Sequence, residues 1–148
     1  RDIHNLYGEQ NIFRYLPLKN MVLRVQPSDK LVDILMIVTA AEIARTPLFI
    51  SIDAENENLN ALKMLFADKI KTQNEETFVQ EMDKYERVRT CSEKLSDKIY
   101  QKAAELGKYI ATQTPLAEGR LELLHYVKEQ SVTFEYHRYG SINEVPEI

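Results

Sequence analysis

One cysteine, four glycines and no tryptophan stand among 148 residues, and each scarcity removes a class of explanation. A lone thiol, Cys91, cannot build an internal disulfide framework. A stapled secreted scaffold is therefore excluded, and a reducing compartment, the cytoplasm, is expected. The glycines are Gly8, Gly107, Gly119 and Gly140. None lies in a G-x-G-x-x-G or G-x-x-x-x-G-K-[ST] pattern, so neither a dinucleotide nor a nucleotide has its phosphate-binding fingerprint here. No charge of one sign prevails: 19 basic and 23 acidic residues leave a net charge of −4. That balance offers no electrostatic footprint for nucleic acid or an anionic membrane. The longest strongly apolar run, from Leu31 to Ala44, is interrupted by Asp33 and Glu42 and falls short of the ~20 residues a bilayer span needs. No signal or transit composition is visible, and a chain opening on Arg1 rather than methionine is expected to be a segment of a longer polypeptide.

Chemistry-bearing clusters are equally scarce. His4, His125 and His137 do not stand at metal-ligand spacing and have no cysteine beside them, so no metal site is expected. Cys91, in "RTCSEK", precedes a helix start, where a thiol pKa can fall, yet no base or resolving partner accompanies it. The reading is a strand-end structural cysteine. Asp53 ends a strand where a phosphoacceptor could sit, but the turn after the preceding strand reads "QPSD" and lacks the acidic cluster such a site requires, so Asp53 is read as a helix cap. The pairs Glu55/Glu57 and Glu75/Glu76 fall in polar, loop-like runs and are read as solvated surface. Catalytic, cofactor-binding and metal-ligating residues are all expected to be absent.

What the chain does contain is a rhythm. "QNIFRYL" (10 to 16) and "NMVLRVQ" (20 to 26) read as strands closed by Pro17 and Pro27. A helix over 28 to 44 follows, with Ser28 as N-cap, Asp29 in its first turn and an apolar middle all round. "LFISID" (48 to 53) is a buried strand, followed by a helix presenting Leu59, Leu62, Leu65 and Phe66 on one face. "TFVQE" (77 to 81) and "RVRT" (87 to 90) read as weaker strands around a short helical turn. Ser92 is placed to cap a helix whose stripe is Leu95, Ile99, Ala103 and Leu106, with Gly107 as its left-handed terminator. "KYIATQ" (108 to 113) is the next strand. Strands alternating with helices predict a Rossmann-like α/β fold with a mostly parallel sheet and flanking helices. One domain is expected over 1 to 148: an entry strand segment (1 to 19), a βα core (20 to 116), a helix plus interface strand (117 to 140) and a frayed tail (141 to 148).

After Pro115 the rhythm changes. A helix over 117 to 129 runs directly into a strict alternation, Val132, Phe134 and Tyr136 against Thr133, Glu135 and His137. This strand follows an already complete sheet and carries aromatics with an arginine, residue types enriched at interfaces. It is expected to protrude or lie at an edge, with Val132, Phe134, Tyr136, Arg138 and Tyr139 as candidate interface residues, although a core face would show the same alternation.

The stretch "GRLELLHYVKEQSVTFEYHRYG" (119 to 140), together with "YGEQNIFRYLPL" (7 to 18), resembles the C-terminal region of the proline-catabolic aldehyde dehydrogenases. These are the L-glutamate-γ-semialdehyde (1-pyrroline-5-carboxylate) dehydrogenases, alone or fused to proline dehydrogenase as bifunctional proline utilization A proteins. Between 50 and 95 the similarity lies in the βα rhythm more than in residues. The resemblance implies a non-catalytic, Rossmann-like domain that follows the catalytic unit of the same polypeptide and packs on it or on another subunit of a homo-oligomer. It implies that NAD and the nucleophilic cysteine belong to that upstream unit. Cys91 lacks the glycine-rich context of the family's nucleophile. Two other readings stay open: a free-standing small-ligand module, and an autonomous interaction domain working by strand addition.

Overall fold

Prolines and short polar turns cut the chain where the backbone must reverse, and the computed structural model describes residues 9–135. The described residues divide into two compact units: 17–127 form one, and 9–16 with 128–135 the other. Length alone suggests a single domain, and the division arises because the first and last strands pair with each other instead of joining the central sheet.

The larger unit is built on β2 (Met21–Arg24), whose four residues are all buried. Such complete burial fits a strand flanked on both sides and covered on both faces. β3 (Leu48–Ile52) pairs beside it in parallel, Leu23 opposite Ile50, and β4 (Ile70–Thr72) pairs parallel to β3. On its other side β2 pairs in parallel with β5 (Arg87–Arg89), and β5 with β6 (Ile110–Ala111). The order β4-β3-β2-β5-β6 therefore grows outward from β2 in one direction, then returns to its other flank. This is a Rossmann-like α/β fold with a five-stranded parallel sheet flanked by helices.

Alternation along the strands divides the interior in two. Leu23, Leu48, Ile50 and Ile52 pack with Ile34, Ile37 and Val38 of α1 (Leu31–Ile43) and with Leu59 and Leu62 of α2 (Leu59–Phe66). Val22 and Val88 point the other way, into Phe78 of α3 (Glu75–Glu81) and Ile99 and Ala103 of α4 (Asp97–Glu105). The expected stripe on α4 is realised, with Leu95 and Leu106 packed against this second core.

Both long helices end in the same motif. After α4, Gly107 takes φ 61°, its N–H bonds the Ala104 carbonyl, and the Lys108 N–H reaches back to Ala103. After α1, Arg45 adopts φ 56°, its N–H bonds Glu42, and the Thr46 N–H bonds Ala41. These are the paired reverse bonds of a left-handed helix terminus, which glycine makes at no steric cost and arginine does not.

Several local expectations are corrected. α1 begins at Leu31 with Lys30 in the N-cap position, because the Ser28 segment is held in a turn by Asp29, whose carboxylate accepts the Gln26 N–H. Residues 77 to 81 are helical, not extended: Asn74 caps α3 by accepting the Thr77 N–H, and Glu75 and Glu76 occupy its first turn, favourable for their charge. α4 starts after Ser96, four residues beyond Ser92 in the chain. Leu65 is exposed, while Leu59 and Leu62 carry the buried face of α2. The helix expected over 117 to 129 is only α5 (Gly119–Glu122) plus a 3-10 turn over Leu123–Tyr126, since the extended conformation begins at Val127. That turn does hand over to the strand without a loop.

β1 (Glu9–Pro17) and β7 (Val127–Glu135) make a separate two-stranded sheet. Arg14 bonds Gln130 and Thr133 bonds Asn11, so numbers rise on one strand as they fall on the other and the pair is antiparallel.

Candidate functional site

Ligands of open parallel sheets bind beyond the carboxyl ends of the strands. In the larger unit this end carries two buried arginines, one on each face of the sheet.

Arg89, at the end of β5, has no exposed surface. Its Nη1 donates to the carbonyls of Thr90, Ala111 and Gln113, and its Nη2 to Glu122 Oε1 at 3.0 Å. Tyr126 donates its hydroxyl to the same Glu122 oxygen at 2.7 Å, and the Leu116 N–H donates to Oε2. Burial works to raise the Glu122 pKa, yet the hydrogen bonds from Leu116, Tyr126 and Arg89, with the arginine's charge, hold the carboxyl below its ordinary value. Burial and the bond to Glu122 push the Tyr126 phenol well above its usual range. The triad is a closed structural lock. It fastens the 3-10 turn over Leu123–Tyr126 to the sheet, helped by Thr46, which donates to the Tyr126 carbonyl. Arg87 holds the same turn from outside, donating to the carbonyls of His125 and Val127 while stacking on Tyr109. Burial and then the charge of Arg89 lower the pKa of His125.

Arg24, at the end of β2, is 4% exposed and differently placed. Nη1 donates to Ser51 Oγ and to the Gln73 carbonyl, both at 2.9 Å, and the guanidinium lies over the Phe78 ring at 5.3 Å. Gln73 in turn donates through Nε2 to Ser51 Oγ. Among the described residues no carboxylate comes within ion-pair distance of Arg24. Burial lowers its pKa, and Asp53 and Glu75 oppose that only through their fields.

The residues singled out from the sequence fall as follows. Cys91 is buried beside the Asp29 carboxylate; burial and that negative neighbour push the thiol far above its usual range, so it stays protonated. Asp53 accepts the Glu55 N–H and so closes a turn, while Asn58 holds the N-cap position of α2; the helix-cap reading is corrected. No group of acidic, cysteine or histidine residues able to hold a metal occurs among the described residues. Val132 and Phe134 lie half-buried on β7, alternating with exposed Ser131, Thr133 and Glu135, whereas Tyr136, Arg138 and Tyr139 lie outside the described residues. Across the ribbon, Phe13 and Tyr15 of β1 meet edge-to-face at 5.5 Å and are 38% and 49% exposed.

Sequence reading missed Arg24, Arg89, Glu122 and Tyr126. A signal was present: a single arginine inside the otherwise apolar "MVLRV" and two flanking a valine inside "RVRT". A groove of about 350 Å³ also opens along the outer side of α1, lined by Val32, Leu35, Met36, Ile43, Leu116 and Leu123.

No helix among the described residues is long and apolar enough to cross a membrane. No family model matches the chain, and no curated protein matches it. Among solved structures it is similar to the crystal structure of eIF2B beta from Chaetomium thermophilum, with a TM-score of 0.44 and 15% identity over 77% of this chain. The match spans 42% of that protein's length. Likeness at this level carries no argument about function.

Proposed function

We propose that this chain is the C-terminal accessory domain of an NAD-dependent L-glutamate-γ-semialdehyde dehydrogenase of proline breakdown, and that the β1–β7 ribbon is its attachment surface. The observation that supports this reading is the ribbon's composition. A two-stranded sheet is marginal alone in water, yet this one carries apolar side chains on both faces: Ile12, Leu16, Val132 and Phe134 on one, Phe13 and Tyr15 on the other. Such a surface suits burial against the catalytic unit or against another subunit of a cytoplasmic homo-oligomer.

In the parent reaction a thiolate attacks the aldehyde, hydride passes to NAD, and water releases glutamate from the thioester. On this reading none of those steps uses a residue of the present chain. The buried, protonated Cys91 is in keeping with a structural role. The test is to read the coding sequence upstream of Arg1 and to purify the encoded protein with and without this segment. Several hundred upstream codons containing an aldehyde dehydrogenase cysteine motif, and loss of assembly on truncation, are expected. An upstream region without such a motif sinks the proposal. A small-ligand module is the second reading, favoured by the unpaired charge of Arg24.

A further inference from the structure

Two arginines are buried at the carboxyl end of the sheet, and among the described residues only one has a counter-ion. Arg89 meets Glu122 at 3.0 Å, whereas Arg24, equally removed from water, meets only neutral acceptors. A buried charge without an opposite partner is costly, and although Nε of Arg89 also lacks an acceptor, Arg24 alone of the two lacks a carboxylate within ion-pair distance among the described residues. Its hydrogen-bonding pattern says where a partner belongs. Both of its hydrogen bonds leave from Nη1, and Nε is buried with no acceptor among the described residues. In a guanidinium, Nε–H and one Nη2–H point to the same side and form a two-pronged donor that matches the paired oxygens of a carboxylate. That edge of Arg24 has no acceptor among the described residues.

We propose that Arg24 docks the carboxylate of a small molecule at the carboxyl ends of β2, β3 and β4. The place is the one where this fold class binds ligands. Ser51 and Gln73 fix Nη1, and Phe78 covers one face of the guanidinium, so the free edge is held in orientation before anything binds. Asp53 and Glu75 add negative potential nearby, which favours a singly charged carboxylate over a doubly charged phosphate. Since Nε is enclosed, the occupant has to displace a side chain. Gln73 is the candidate: its amide is tied only through Nε2 to Ser51, and its buried Oε1 has no partner. The inference stands on the larger unit alone and does not depend on the dehydrogenase reading.

The experiment follows the Arg24 Nε–Hε resonance in nitrogen-15 spectra of the full chain while acetate, inorganic phosphate and chloride are titrated separately at constant ionic strength. Expected is a saturable shift with acetate at lower concentration than with phosphate, and no saturable shift with chloride. Arg24→Lys, which keeps the charge but loses the fork, should weaken acetate by at least about tenfold, and Gln73→Ala should bind it at least as well as the parent chain. Should Arg24→Lys fail to fold, the titration of the parent chain decides alone. A response that is linear or identical for all three anions overturns the site, and tighter binding of phosphate overturns the carboxylate assignment.

Discussion

Arg89, Glu122 and Tyr126 show how one buried ion pair joins packing in fastening an element, since Tyr126 and Leu123 of the same turn also pack on the apolar core. A phenol and a backbone N–H complete the carboxylate, and three carbonyls meet the guanidinium through Nη1, leaving only its Nε without an acceptor among the described residues. Removing one partner leaves the other charge buried and unmatched. Glu122→Gln should therefore lower stability at neutral pH by about 3 to 5 kcal/mol, measured by urea unfolding. The pH dependence has a defined sign. Because the folded Glu122 pKa lies below its ordinary value, its contribution is fully present above the ordinary glutamate range and is lost as pH falls through the lower folded value. Parent and variant stabilities should converge as the medium is acidified. A gap that stays constant down to the acid limit would show that Glu122 acts by shape and not by charge.

The helices offer two experiments of opposite sign on one motif. Gly107 and Arg45 both terminate helices in the left-handed region, at φ 61° and 56°. Gly107→Ala should cost about 1 kcal/mol, and Arg45→Gly should gain about 0.5 to 1 kcal/mol because the side chain's steric conflict disappears. Thermal unfolding of the two variants checks both, and a loss on Arg45→Gly would mean that the arginine side chain contributes more than its backbone strain costs. α1 supplies a third comparison. Ile37 is fully buried against the sheet, whereas Leu35 is half-buried on the groove side. Ile37→Ala should cost about 2 to 5 kcal/mol and Leu35→Ala distinctly less. Equal losses would show that the groove side of α1 is covered in solution.

The division into two units predicts uneven stability over the whole molecule. Backbone amides of β2, β3 and β5 sit inside two buried cores and should exchange only through global opening. Those of β1 and β7 belong to a two-stranded sheet and should exchange much faster in the isolated chain, unless self-association covers them. Phe13→Glu combined with Phe134→Glu should leave the melting temperature of the larger unit within a few degrees while abolishing any dimer seen by sedimentation. Global unfolding of that double variant would instead place the ribbon inside the cooperative core.

How much of this was legible beforehand depended on how local the cause was. The parallel βα rhythm, the buried α4 stripe and the Gly107 terminus follow from periodicity and backbone sterics, which act within a few residues, and each could be read directly. The alternation of the last strand could be read as well, but not its start at Val127, which the helical spacing of Leu121, Leu124 and Val127 concealed. Where two conformations were close in local preference, reading went astray: "TFVQE" alternates like a strand, but the Asn74 cap and the burial of Phe78 against Val88 make it a helix. Arg24 and Arg89 carried a visible signal, a charge within an apolar strand. Their opposite fates did not show, because the carboxylate that neutralises Arg89 lies 33 residues further along and none among the described residues reaches Arg24. The sequence by itself determined most of the elements and their general alternation, since helix and strand periods are properties of adjacent residues, but it marked neither β4 nor the helical state of α3. Only the tertiary structure decided which strands pair, that β7 turns to β1 and not to the sheet, and which buried charge is left without a partner, because those outcomes depend on contacts between segments far apart in the chain.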